Sequence, residues 1–375
     1  MDFEAEGLLE GLEGEARAAR ERLLAGLADD GVSAEELRRA VAEDRLALVP
    51  VERALGGGDG RHTASEVAEL TGVERELLDR YWRALGMAVA GDDEEVFTER
   101  DVEAARRIAA LREAGLPDEG ILEIARLLGM SMSQLAAANR RLIADAFLRE
   151  GDTELDVATR FAQAAEAFLP AIGESLSYVL ELHLREQIRH DAVGASELSS
   201  GRLESAQQVT VCFADMVGFT QLGESLEPDE LGGVTGRLTE LVSEVVEPPV
   251  RLVKLIGDAA MLVGAEPAPV LDAALALVEA AGREGKGFPL LRAGVACGEA
   301  LGRAGDWYGR PVNLASRITT RARPDSVLAS AEVHEALADS YRWSFAGAKR
   351  LKGIDGETQL YRCRRDGEDE GEDED

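Results

Sequence analysis

The arrangement of apolar residues changes near Gly201, and this change divides the chain into two regions that must fold differently. Before it, apolar residues recur every three or four positions among Ala, Leu, Glu and Arg, which is typical of amphipathic helices. After it, short apolar runs alternate with helical stretches. At 375 residues the chain is long enough for two separate cores. We therefore expect an all-helical region at 1–195, a linker at 196–207 and an α+β region at 208–365.

The second region has the element order strand, helix, strand, strand, helix, strand, which is the order of a ferredoxin-like fold. Strands are predicted at 209–214, 251–256, 259–263 and 290–297, and helices at 228–246, 269–281 and 311–320. Further short strands are expected near Val327, Tyr341 and Gln359.

Two apolar stripes mark the last two predicted helices of the first region. Their members are Ala158, Phe161, Ala165 and Phe168 in one helix, and Ile172, Leu176, Val179, Leu180, Leu184 and Ile188 in the next. His183 and His190 share a face of the second helix, and histidine titrates near physiological pH, so the pair could bias a switch. Two ordinary interfacial histidines are the plainer explanation of the pattern. We hypothesise that residues 172–192 couple the two regions.

The charge of the chain limits its partners. Lys and Arg number 41 against 72 Asp and Glu, which gives a net charge of -31, and part of the excess forms an acidic tail at 366–375 that we expect to be disordered. Such a chain repels DNA phosphates and anionic membranes at long range. A nucleotide site on it needs local cations or bound metal.

The cysteines and the N-terminus indicate a cytoplasmic protein. Cys212, Cys297 and Cys363 are odd in number and widely spaced, which favours reduced, buried residues. The first seven residues are acidic and lack the basic start of a signal peptide. No uncharged apolar run reaches the roughly 18 residues that span a bilayer, so we expect no membrane association.

Two aspartates each end an apolar, strand-like run in the second region. Asp215 follows the run 209–214, and Asp258 lies in the predicted turn between 251–256 and 259–263. Mg²⁺ and Mn²⁺ prefer hard oxygen ligands, often one or two carboxylates plus substrate phosphates. Asp215 and Asp258 are therefore candidate metal ligands, although either alone is also typical of a turn.

Two further pairs have side chains that suit a nucleotide. Lys254 and Asp306 combine a donor with an acceptor, which matches N1 and the N6 amino group of adenine and mismatches guanine. Asn313 and Arg317 are four positions apart on a predicted helix and share a face. Asn can orient a sugar oxygen, and Arg can offset charge on a phosphoryl group. A solvated lysine and a polar helix face are the plainer alternatives.

These segments resemble the catalytic domain of class III nucleotidyl cyclases, which is found in adenylyl cyclases, over about Gln208 to Arg362. The run 213–220 resembles the first metal motif of that family, and the run 254–258 resembles its purine-selecting Lys followed by the second metal Asp. Asp306, Asn313 and Arg317 fall at the family's spacing for purine, ribose and transition-state contacts. Six functional positions in the correct order make the resemblance specific.

The resemblance implies an enzyme that converts ATP to 3′,5′-cyclic AMP and pyrophosphate with two Mg²⁺ or Mn²⁺ ions per active site. It also implies a homodimer through the catalytic domain, in which one subunit supplies the metal carboxylates and the other supplies the purine, ribose and transition-state residues. Arg303 and Lys352 are the candidates for the family's triphosphate-binding residues. The region 1–195 resembles the regulatory domain of soluble bacterial cyclases.

A second resemblance concerns the run 63–82, which looks like the helix-turn-helix of MerR-type DNA-binding proteins and extends over about 62–130. Arg75, Arg80 and Arg83 there are offset by neighbouring acidic residues, so nucleic acid is an unlikely partner. Two other functions stay open, namely a catalytically silent nucleotide-binding or dimerisation module and a DNA-binding regulator with a nucleotide-sensing domain. A guanylyl cyclase is the nearest enzymatic alternative.

Overall fold

The chain forms two compact units, Met1–Ala192 and Val193–Asp375. The computed structural model describes residues 1–56, 62–190, 206–303 and 305–364. Most of the predicted linker and all of the predicted acidic tail therefore lie outside the described residues.

The described part of the first unit is helical, as predicted, apart from one isolated bridge between His62 and Phe97. Its α-helices are α1 Gly14–Asp29, α2 Ala34–Ala42, α3 Val49–Ala54, α4 Ala64–Thr71, α5 Arg75–Ala84, α6 Glu99–Glu113, α7 Asp118–Phe147 and α8 Glu154–His190. A capping box starts α4, because Thr63 and Glu66 each accept a hydrogen bond from the other's backbone N–H. Gly72 ends α4 in the left-handed conformation, with φ of 70°.

Helix α8 corrects the prediction of two helices, because it runs without a break from Glu154 to His190 with Pro170 inside it. Proline removes a hydrogen bond from a helix, but the Ala- and Leu-rich sequence on either side favours helix strongly enough to continue through it. The first predicted stripe is packed at Ala158 and Ala165, which are 1% and 7% exposed. In the second stripe, Leu180 and Ile188 are 59% and 71% exposed within one copy of the chain.

Helix α7 is also largely exposed. Among the described residues it is the one helix whose length and composition would allow a membrane span, with a mean hydropathy of 1.2 over an 18-residue window that is 17% buried. A single helix of this kind is weak support for a span.

The second unit is built on one mixed sheet. Its strands are β1 Ala206–Met216, β2 Arg251–Ile256, β3 Ala259–Gly264, β4 Leu291–Arg303, β5 Asp306–Tyr308, β6 Ser326–Ser330, β7 Arg342–Arg350 and β8 Glu357–Arg364. Its α-helices are α9 Phe219–Gly223, α10 Pro228–Val245, α11 Pro267–Arg283, α12 Arg310–Thr319 and α13 Ala331–Ala336.

The strand order is β2-β3-β1-β4-β6-β8-β7, with β5 paired to β4 outside this path. The first four strands have the order and the antiparallel pairing of a ferredoxin-like sheet, so the predicted α+β fold is confirmed. Strand β4 runs six residues beyond its predicted end at Cys297, because its last part forms a hairpin with β5.

The two faces of the sheet bury different helices. Cys212, Ala214 and Met216 of β1 pack in a core with residues of α10 and α11. Val209 and Val211 point the other way and pack in a second core with residues of α12. By the two-residue alternation of a strand, Asp215 belongs to the α12 face of the sheet.

Helix α12 lies very close to β4. A Cβ on Gly294 would come within 2.3 Å of the Thr319 backbone nitrogen and 2.6 Å of the Ala315 oxygen. The Thr319 hydroxyl donates across to the carbonyl oxygen of Phe213 in β1, at 3.2 Å. Glycine in the strand and threonine at the end of the helix therefore fix the position of α12 on the sheet.

Candidate functional site

Asp215 and Asp258 meet at one end of the central strands. Asp215 lies opposite Ala259 in the β1–β3 pairing, and Asp258 is the residue just before Ala259 in the β2–β3 turn. The backbone N–H of Met216 donates to the carbonyl oxygen of Asp258, at 3.1 Å. The sheet register and this bond together bring the two carboxylates to one place.

Asp215 and Asp258 have different electrostatic surroundings. Burial raises the pKa of the Asp258 carboxyl, and the negative charge of Asp215 raises it further, while a backbone hydrogen bond and the Arg292 guanidinium act in the opposite direction. Asp215 is paired with Arg292, whose Nε and Nη2 donate to Asp215 Oδ2 at 2.9 and 2.6 Å. Arg292 is therefore hydrogen-bonded directly to Asp215.

Sequence reasoning missed Arg292. It lies in β4 directly opposite Asp215 in β1, so strand pairing alone places the two side chains together. The available signal was a single arginine in the apolar run from Leu291 to Val295. A charged residue in an otherwise buried strand needs a partner of opposite charge. Asp215, which follows the predicted strand 209–214, could have been recognised as that partner.

The donor set of Asp215 and Asp258 suits Mg²⁺ or Mn²⁺. Both offer hard oxygen atoms, and such ions are commonly held by one or two carboxylates together with substrate phosphates. Among the described residues, no group of three or more His, Cys, Asp or Glu forms a complete metal cage. The remaining ligands of a metal here would be water or the oxygens of a bound phosphate.

Lys254 and Asp306 form an ion pair between β2 and β5. Their side chains are 40% and 24% exposed, so the pair is open to a ligand. Asp306 is oriented by the backbone N–H of Trp307, which donates to its second carboxylate oxygen at 2.9 Å. The two side chains that sequence reasoning assigned to one purine edge thus satisfy each other in one chain.

Asn313 and Arg317 lie on the exposed side of α12, while Leu314, Ala315 and Ile318 pack against the sheet. The predicted shared face is present. Among the described residues, no side-chain hydrogen bond or ion pair links Asn313 or Arg317 to the two groups above. The candidate residues thus form three groups that share no side-chain hydrogen bond or ion pair with one another in the described part of the chain.

Arg303 and Lys352 lie outside these groups. Arg303 is the backbone partner of Asp306 in the β4–β5 hairpin, so it sits beside the proposed purine acceptor, and its side chain is exposed. Lys352 is exposed in the turn that follows β7.

The two histidines singled out by the sequence lie near the end of α8. His183 is exposed within one copy of the chain. The side chain of His190 lies outside the described residues.

The helix-turn-helix segment forms α4 and α5, but two of its three arginines are engaged by carboxylates. Arg75 donates to Asp79 at 2.8 Å, and Arg80 pairs with Glu119. Charges used in this way are poorly suited to contact DNA phosphates. The structure therefore favours a packing role for this segment.

Comparisons with known proteins agree with this organisation. The model of the adenylate cyclase regulatory domain matches residues 1–188, and that of the adenylate and guanylate cyclase catalytic domain matches residues 202–364. A pH-sensitive adenylate cyclase of Mycobacterium tuberculosis is 43% identical over 97% of this chain and 92% of its own length. An adenylate cyclase of Streptomyces coelicolor is 35% identical over 79% of this chain and 76% of its own. The chain therefore belongs to the adenylate cyclase family, in which a helical regulatory domain precedes the cyclase catalytic domain.

Proposed function

We propose that the protein is a regulated cytoplasmic adenylate cyclase that converts ATP to 3′,5′-cyclic AMP and pyrophosphate at sites shared between two copies of the chain. The observation that carries this proposal is the contact between Lys254 and Asp306, since it holds a donor and an acceptor together where both remain accessible. The sequence relation to named adenylate cyclases supports it.

The residues have distinct roles in this proposal. Lys254 donates to N1 of adenine, and Asp306 accepts from the N6 amino group, so their mutual ion pair opens when the base enters. Asn313 orients the ribose. Arg317 offsets the charge that develops while the 3′-oxygen bonds to the α-phosphorus and the bond to pyrophosphate breaks.

Asp215 and Asp258 would hold two Mg²⁺ or Mn²⁺ ions. Such ions, when bound, lower the pKa of the attacking hydroxyl and neutralise the departing pyrophosphate. The protein's own contribution is to bring two carboxylates together through strand pairing and the β2–β3 turn.

The resemblance to class III cyclases supports a homodimer, and the lack of a side-chain bond between the three groups within the described residues of one chain agrees with it. The metal carboxylates of one copy would face Lys254, Asp306, Asn313 and Arg317 of the other, which gives two equal sites related by a two-fold axis. Arg303 and Lys352 stay candidates for contact with the triphosphate.

The direct test is to incubate the full chain with Mn²⁺ and either ATP or GTP and to measure the cyclic product. We expect cyclic AMP from ATP and much less cyclic GMP from GTP. Arg317→Ala should lower kcat by about 10²- to 10³-fold, because it removes a transition-state contact. No product from ATP would support the silent-module alternative, and a preference for GTP would indicate a guanylate cyclase.

The regulatory part of the proposal concerns the first unit. A relative of similar length is named for its pH sensitivity, and His183 lies near the end of the helix that leads to the catalytic unit. We expect the full chain and a shortened chain that begins near Ser200 to differ in activity between about pH 5 and pH 8. Identical specific activity at every pH would contradict regulation by the first unit, and an unchanged profile in His183→Ala would contradict the histidine hypothesis alone.

A further inference from the structure

Among the described residues, Arg292 is the cation that contacts the carboxylates proposed to bind metal. Its Nε and Nη2 both donate to Asp215 Oδ2, at 2.9 and 2.6 Å. The pair is partly protected from solvent, with side chains 28% and 20% exposed. Two donors from one planar guanidinium hold the position of that single oxygen more firmly than one donor would.

The position of Arg292 is set by the sheet and not by a flexible loop. Arg292 and Asp215 are directly opposite each other on β4 and β1, and the neighbouring pairs Ala214–Ala293 and Met216–Leu291 consist of buried residues. The positive charge is therefore fixed beside the carboxylate. Because both N–H groups bind Oδ2, the guanidinium leaves Oδ1 for another ligand.

We propose that Arg292 is a positioning residue that sets the affinity of the site for divalent cations, by holding Oδ2 of Asp215 and by placing a fixed positive charge beside the metal ligands. This inference rests on the proposed role of Asp215 and Asp258 as metal ligands. Its consequence is that the site binds metal weakly until the nucleotide adds negative phosphates. The affinity for metal is therefore lower without nucleotide than with it.

The size of the effect follows from the geometry. A metal on Oδ1 would lie on the order of 5 Å from the guanidinium, since metal–oxygen and N–H···O contacts are each short. Repulsion between a single and a double positive charge at that separation, with water-like screening, weakens metal binding by about tenfold. Removing the charge should therefore tighten metal binding, whereas damage to the site would weaken it.

The experiment measures Mn²⁺ binding to the full-length, nucleotide-free protein from the electron paramagnetic resonance signal of the free ion. Arg292→Met and Arg292→Gln remove the charge, and Arg292→Lys keeps it. We expect about tenfold tighter binding in both neutral variants and an affinity within about threefold of the wild type in Arg292→Lys. Circular dichroism shows which variants fold, and either neutral variant is sufficient.

The acidic chain also binds Mn²⁺ weakly elsewhere, so the double variant Asp215→Asn/Asp258→Asn supplies the background. If that variant binds Mn²⁺ as the wild type does, the proposed metal ligands are wrong. If it loses the site while the folded neutral Arg292 variants keep the wild-type affinity or bind more weakly, the metal ligands stand and the inference about Arg292 is wrong.

Discussion

Two aspartates of similar sequence context differ in their surroundings. Asp215 has the Arg292 guanidinium as its direct partner, whereas Asp258 has a pKa raised by burial and by the charge of Asp215. Sequence reasoning found both residues from their positions after strand-like runs. It did not distinguish them, because the difference comes from β4, whose pairing with β1 joins residues 77 positions apart.

The raised pKa of Asp258 predicts a stability effect that depends on pH. A carboxyl whose pKa is higher in the folded state costs nothing when both states are protonated. It destabilises the folded state increasingly as the pH rises from the unfolded pKa to the folded pKa, and fully above the folded pKa. Asp258→Asn should therefore raise the melting temperature near pH 8, and the gain should shrink as the pH falls through the raised pKa. Thermal melts with a metal chelator, from about pH 8 down to about pH 4, measure this.

Asp215→Asn is the matched control for that measurement. It removes the charged acceptor of Arg292 and leaves a partly buried guanidinium without its carboxylate, so it should lower the melting temperature near pH 8. Equal behaviour of the two variants would contradict the assignment of different environments.

Lys254 is expected to determine the choice of base. Lys254→Met should lower kcat/KM for ATP by about 10- to 100-fold, because a hydrogen bond from a charged donor is lost, and GTP should lose far less. Lys349→Met replaces an exposed lysine of β7 and serves as the control, with wild-type kinetics expected. A parallel fall for ATP and GTP in Lys254→Met would mean that Lys254 does not read the base.

At the scale of elements, periodicity predicted the second unit well and the end of the first unit less well. Each strand of the catalytic core has an alternating or continuous apolar pattern that only pairing in a sheet can bury, so its position is readable from the sequence. The two apolar stripes predicted two helices where the structure has the single helix α8, with Pro170 inside it. Whether the helix continues past Pro170 depends on the helix propensities of the residues on either side of it, and the apolar pattern does not reveal these.

The close contact between β4 and α12 gives a prediction for an element. Gly294→Ala would place a methyl group within 2.3 Å of the Thr319 nitrogen, so α12 has to move. We expect destabilisation of roughly 1–3 kcal/mol and a strong loss of kcat, since α12 carries Asn313 and Arg317. Urea unfolding and cyclase assays measure the two effects.

Gly236→Ala, on the exposed side of α10, is the control for that substitution. A Cβ there meets no atom within 4 Å, so the better helix propensity of alanine should stabilise by up to about 1 kcal/mol with full activity retained. Wild-type stability and activity in Gly294→Ala would show that the helix and strand are less tightly joined than the structure indicates.

At the scale of the whole molecule, the net charge of -31 explains why binding residues have to be gathered into local sites. The charge repels nucleotides and DNA alike, yet Lys254, Arg292 and Arg317 are concentrated in the catalytic unit near candidate substrate contacts. Motif order predicted Lys254 and Arg317 but missed Arg292. The contact between Arg292 and Asp215 could not be read from motif order, because strand pairing joins residues 77 positions apart. The resemblance to class III cyclases did imply that the metal ligands are contributed by one subunit and the other site residues by its partner, and thus their separation.

That separation predicts that two inactive variants restore each other. Asp215→Asn damages the metal-binding half and Arg317→Ala the transition-state half, so a mixed dimer has one intact site and one site with both defects. Random pairing makes half the dimers mixed, and about a quarter of the wild-type activity should return. Asp215→Asn mixed with Asp258→Asn should recover nothing, because each site of that dimer lacks a metal ligand. If differently tagged chains co-purify as mixed dimers and the first mixture still stays inactive, each chain has to build its site alone.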